Sequence, residues 1–120
     1  MSTRATIHWK DGNKRDEAIT YRHGDGYPEG LGKDIQDFFQ EVSKLSDPRF
    51  CAPSHLAAKW IVWDANQTSK MRCEIEKKEH NPLNFLSVGI VLKDPSDIAY
   101  RYDVICKDDS IPEVKVKKVG

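Results

Sequence analysis

Alternation of apolar and polar residues opens the chain and sets its first element. Ala5, Ile7 and Trp9 point one way and Thr6 and His8 the other, a period of two that predicts a strand. Lys10-Asp11-Gly12-Asn13-Lys14 follows, and Asp-Gly between alternating runs predicts a hairpin turn. Ala18 to His23 alternates again, with Ile19, Tyr21 and His23 on one face and Thr20 and Arg22 on the other. The period changes after Gly32. Ile35, Phe38, Phe39, Val42 and Leu45 fall at helical spacing and predict an amphipathic helix. Asp34 and Asp37 suit the positive end of its dipole, Lys44 the negative end, and Ser46-Asp47-Pro48 stops it.

Pro53-Ser54 predicts a second helix with Ser54 as its N-cap. Leu56, Trp60 and Trp63 share one face, Ala57, Ile61 and Asp64 a neighbouring one, and Asn66 suits a C-terminal cap. Gln67 to Pro82 is dominated by charge and reads as a short edge strand or a mobile loop. Asn84 to Leu92 predicts a strand, Ile98 to Cys106 a returning strand, and Val114 and Val116 between lysines an edge strand. The order predicts an α+β fold: an antiparallel sheet built from an N-terminal hairpin and a C-terminal meander, with two central helices packed on one face. The 120 residues fit one domain, residues 1–120.

Charge narrows the partners. The 19 basic and 19 acidic residues cancel, which argues against general nucleic-acid binding, because a phosphate backbone needs a basic surface. A few local arginines still suffice for a small anion. Near-neutrality also removes charge repulsion between copies, so a homo-oligomer is expected. No apolar run is long enough to cross a membrane, and Met1-Ser2-Thr3-Arg4 leads straight into the first strand without a signal peptide pattern. A cytoplasmic location is expected. Cys51, Cys73 and Cys106 form no close pair and read as reduced thiols.

The densest chemistry lies in Tyr21-Arg22-His23-Gly24-Asp25-Gly26-Tyr27-Pro28-Glu29-Gly30-Leu31-Gly32, with four glycines in twelve positions. Glycine at that density marks a sharp turn or a close backbone approach. Tyr27-Pro28-Glu29-Gly30 suits a type I turn. Arg22 beside the start of a helix can hold phosphate, yet the spacing is neither Gly-x-Gly-x-x-Gly nor the Walker loop. Asp25 would repel the anion. His23 and Asp25 can orient one another, but no nucleophile signature accompanies them. An ordinary reading stands beside the functional one: His23 packs at a strand end, Asp25 caps the turn. The scattered His8, His23, His55 and His80 lack the spacing of a zinc site, and no metal or cofactor is expected. Phe85, Tyr100, Arg101 and Tyr102 can stack a base and pair a phosphate, and are equally ordinary sheet residues. Trp9, Trp60 and Trp63 read as core or interface anchors.

The segment Tyr21 to Gly30 resembles a motif of small phage and prophage proteins of unassigned or anti-defence role. Asn84-Phe85-Leu86-Ser87-Val88-Gly89 and Tyr100-Arg101-Tyr102 add to that resemblance. In size and element order the chain is similar to the phage anti-Thoeris nucleotide sponges. That resemblance implies a small, oligomeric, non-catalytic protein that sequesters a phosphorylated or cyclic nucleotide signal, such as a cyclised ADP-ribose. No binding residue is transferred from it. The local reading assigns Arg22 and Arg101 to phosphates, His23 and Asp25 to sugar or base edges, and Tyr27 or Phe85 to stacking. Two alternatives remain: a protein-binding inhibitor of a host defence complex, and a small nucleotide hydrolase using His23 and Asp25.

Overall fold

The computed structural model describes residues 2–77 and 79–120, without the side chains of Asn84 and Phe85. Five strands form one sheet: β1 (Ala5–Lys10), β2 (Asp16–Arg22), β3 (Val88–Ile90), β4 (Tyr100–Ile105) and β5 (Glu113–Lys118), in the spatial order β3-β2-β1-β4-β5. Two helices, α1 (Lys33–Ser43) and α2 (Pro53–Glu76), complete the α+β fold. The hairpin β1–β2 and the pair β4–β5 are antiparallel, as the alternation predicts. At the hairpin tip, Asp11 Oδ1 accepts hydrogen bonds from the N–H groups of Asn13 and Arg15 at 2.9 and 3.0 Å.

Ala5, Ile7 and Trp9 of β1 and Tyr102, Val104 and Cys106 on and just after β4 meet the helices in one core. The α1 stripe Ile35, Phe38, Phe39 and Val42 is buried as its spacing predicts, and α2 adds Leu56, Ala57 and Trp60. Phe38 sits at the centre. Its ring is edge-on to Trp60 at 5.4 Å and to Trp9 at 6.3 Å, the geometry that aromatic quadrupoles favour.

The opposite face of β1 is also covered, by polar side chains. Thr6, His8 and Lys10 are all buried. Buried polar groups need partners, and the segment 91–99 supplies them. It crosses this face between β3 and β4. Thr6 Oγ1 donates to Asp94 Oδ1 at 2.6 Å, and His8 Nε2 lies 2.7 Å from the same oxygen. This crossing makes β1 and β4 parallel neighbours and leaves β3 paired with β2. The expected direct return from the Asn84–Leu92 strand onto Ile98–Cys106 therefore does not occur, and the C-terminal meander reduces to β4–β5. The first of those strands is also shorter than predicted, because Leu86, Ile90 and Leu92 find no core and stay exposed.

The second helix runs past its predicted stop. Asn66 is interior, and Gln67 to Glu76 is helical rather than strand or loop. Most of its residues, Gln67, Lys70, Met71, Arg72, Glu74 and Glu76, are good helix formers. Arg72 donates to Glu76 one turn on at 2.8 Å, and fully buried Ser69 meets His80 Nδ1 at 2.7 Å. Lys77, left-handed at φ 53°, ends it. Ser54 does not cap the start, since Pro53 already occupies the first turn and Ala52 stands at the cap.

The glycine-rich stretch is needed for close approach. Among the described residues no glycine has positive φ; Asp25 takes that conformation instead, at φ 53°. A Cβ on Gly26 would lie 2.7 Å from Ala5 Cβ and 2.8 Å from Thr3 O. The Gly26 N–H donates to Thr3 O at 2.9 Å, and buried Tyr102 donates its hydroxyl to Gly26 O at 2.7 Å. Gly24, in contrast, has nothing within 4 Å of its Cβ direction. Gly26→Ala should cost about 1–3 kcal/mol of overpacking strain, while Gly24→Ala is near neutral. Urea unfolding of both variants measures the difference.

Candidate functional site

Arg22 ends β2 on the face turned toward the helices. The register places it opposite Ala5, two residues beyond Thr20, which accepts a hydrogen bond from Trp9 Nε1 inside the core at 3.0 Å. A guanidinium cannot stay unpaired in such surroundings. Its Nη1 lies 2.7 Å from Asp34 Oδ2 of α1 and 3.8 Å from Asp64 Oδ1 of α2. The Arg22 side chain is 13% exposed and that of Asp64 2%.

These groups line a pocket of about 340 Å³ with Asp25, Asp37, Trp63, Gln67, Thr68 and Met71. Two polar atoms there lack a hydrogen bond. Arg22 Nη1 is close to Asp34 without hydrogen-bond geometry, and Asp64 Oδ2 is buried with no donor among the described residues. Burial pushes the Asp64 carboxyl above its ordinary range, and the nearby Asp34 charge adds to this; only Arg22 opposes it. Asp37 pairs with Lys33 at 2.9 Å on the exposed side of α1. Asp25 accepts a hydrogen bond from the Tyr27 hydroxyl at 3.2 Å, which raises the affinity of the phenol for its proton.

The structure therefore brings Arg22 and Asp25 together, with Tyr27 tethered to Asp25 outside the lining. It separates the others. His23 lies with Tyr21 on the opposite side of the hairpin, exposed, its Nδ1 3.3 Å from the Tyr21 hydroxyl. Arg101 also faces away from the helices, bound to Asp103 at 3.0 Å and near Asp94 at 3.6 Å. The sheet stands between Arg22 and Arg101, so the two do not converge on one phosphate. The Phe85 side chain lies outside the described residues.

Asp34, Asp37, Asp64, Thr68 and Trp63 also line the site, and the sequence reading assigned none of them to it. Asp64 had a signal: it is a charge seven residues after Ala57 and four after Trp60, on the apolar side of a helix. Among the described residues no group of three or more His, Cys, Asp or Glu side chains stands close enough to hold a metal ion. Among the same residues no helix is long and apolar enough to cross a membrane. Comparison with family models, curated proteins and solved structures finds no match.

The raised Asp64 carboxyl has a definite effect on stability. The folded protein holds this proton to higher pH than the unfolded chain does. Stability is therefore lost as pH rises from 3.8 through the folded value. Urea unfolding across that range should show a steeper fall for the wild type than for Asp64→Asn. Parallel profiles would remove the burial argument.

Proposed function

We propose that the protein is a non-catalytic binding module whose small ligand occupies the pocket between β2, α1 and α2. The observation that carries this reading is the buried, donor-less Asp64 oxygen beside Arg22. A buried carboxylate left without a hydrogen bond is costly, and a ligand donor supplies what the fold withholds. The pocket combines charged and polar side chains with an indole and a thioether in its lining.

Binding without turnover fits the same residues. The pocket is lined by no histidine, cysteine or serine. The Ser69–His80 contact involves a hydroxyl that is fully buried, where no substrate reaches it. Burial pushes the Cys106 thiol up to about 12, which removes it as a nucleophile. The hydrolase alternative based on His23 and Asp25 is disfavoured, because one faces the helices and the other the far side. Sequestering a small signal remains a form of this proposal, although the four carboxylates of the lining disfavour the phosphorylated nucleotide that the phage resemblance implies; the homo-oligomer remains part of it too. For the latter, the free edge of β3 with Ile90 and Leu92 exposed is the surface we assign.

A protein partner is the second reading. A groove of about 460 Å³ between the helices is lined by Phe38, Val42, Leu45, Val62 and Trp63, and Val62 is 63% exposed. It suits an apolar partner segment such as a host defence protein would present.

Native mass spectrometry of protein purified from cells, followed by denaturation, separates these readings. A released small molecule that disappears in Thr68→Phe, which fills the pocket, is the expected result. Equal loading of Thr68→Phe would place the ligand elsewhere. A stable added protein with no small molecule would favour the helix groove.

A further inference from the structure

We infer that the Arg22–Asp64 pocket takes a small organic cation, an amine or guanidinium on a short chain. This rests on the ligand-binding reading of the same pocket and names the chemistry of its ligand.

The charges decide the class. Four carboxylates, Asp25, Asp34, Asp37 and Asp64, face one guanidinium, Arg22. Arg22 lies closest to Asp34, at 2.7 Å, and Lys33 takes Asp37 from outside at 2.9 Å. Asp25 and Asp64 are left. Among the described residues the Asp25 side chain has only the Tyr27 hydroxyl, and Asp64 only a distant approach to Arg22 at 3.8 Å. A phosphate entering here meets one cation already ion-paired with Asp34 and a surplus of negative charge, and is repelled. A cation meets the reverse.

The acidic residues alone would not make a site. Asp64 adds the independent observation. Its side chain is 98% buried, it lines the pocket, and its Oδ2 has no donor among the described residues. An ammonium or guanidinium N–H is the donor that such an oxygen accepts best, since charge-assisted hydrogen bonds are the stronger ones. Trp63 stacks on Trp60 at 5.6 Å and also lines the pocket, so its indole is a fixed wall for a cation. Half-exposed Met71 is an adaptable wall for a methylene chain. Gln67 and Thr68 offer neutral polar groups beside them.

Binding also moves a proton. Where Asp64 is protonated in the free protein, cation binding forms the carboxylate–cation pair and releases that proton to buffer. No other bond changes.

The test is a titration of the full chain with agmatine, putrescine, choline and AMP, followed by amide NMR and calorimetry. At least one of the three cations should shift the Trp63 indole N–H and the amides of residues 64–71, and AMP should not. Between pH 3.8 and the folded midpoint of Asp64 the measured heat should vary with the ionisation enthalpy of the buffer, which reports the released proton. Gln67→Lys puts an ammonium at an exposed position of the lining and leaves the core alone. It should weaken the cation by at least about tenfold. Asp64→Asn keeps the shape and should abolish the buffer dependence.

AMP shifting these amides while the cations are silent would overturn the cation and keep the pocket. Mg²⁺ reproducing the shifts, with the organic cations silent, would also overturn it. Silence toward every probe overturns it too, and the co-purified small molecule then decides the pocket reading separately.

Discussion

Arg22 carries a full charge into the seam where the hairpin meets both helices. Removing a guanidinium from water costs on the order of several kcal/mol unless carboxylates replace the lost hydration. Here the replacements come from separate parts of the chain: Asp34 from the first turn of α1 and Asp64 from the middle of α2. One strand end thereby fixes where both helices sit. The pairing is incomplete, since among the described residues Asp64 Oδ2 and Arg22 Nη1 remain without hydrogen bonds. Structure and site are the same interaction: what holds the seam together is also what leaves it short of one donor.

The other face of the sheet meets the same problem and closes it. His8 has a carboxylate at each ring nitrogen, Asp16 at 3.1 Å and Asp94 at 2.7 Å, and Lys10 reaches Asp16 at 2.9 Å. Burial alone would push the Asp94 carboxyl up. The hydrogen bonds from Thr6 and His8, with the charges of His8 and Arg101, outweigh it and hold the group low. Asp16 is held low in the same way by Lys10 and His8. These two carboxyls add stability above 3.8 that is lost as the pH falls through their folded values. Arg101 belongs to this network. Its apparent availability in the sequence is consumed by Asp94 and Asp103.

Periodicity made most of the fold legible. The β1–β2 alternation, the α1 stripe and the lysine-flanked β5 are local patterns, and local patterns survive folding. The strand order was not legible. It depends on Asp94 reaching Thr6 and His8 across 86 or more positions of sequence, which no window of neighbouring residues contains. The end of α2 was misread for a similar reason. Its last turns are polar on most sides, and the contact that buried Ser69 makes with His80 joins positions eleven apart. Of the site, Arg22 and Asp25 were visible because they sit in the glycine-rich stretch. Asp64 was read as part of an apolar face, where its charge was the anomaly. The glycines were read correctly as a close approach, but the approaching group is the chain itself, at Ala5 and Thr3, and not a ligand.

The Asp64 carboxyl connects the seam, the pocket and the ligand chemistry, so its own titration is the measurement to make. Carbon-13 NMR of that side chain, followed against pH in the ligand-free protein, reports it directly. A midpoint above the ordinary 3.8 is expected, because burial and the Asp34 charge outweigh Arg22. A midpoint at or below 3.8 would mean that Arg22 already satisfies Asp64 fully. The pocket would then have no unmet group to offer a ligand.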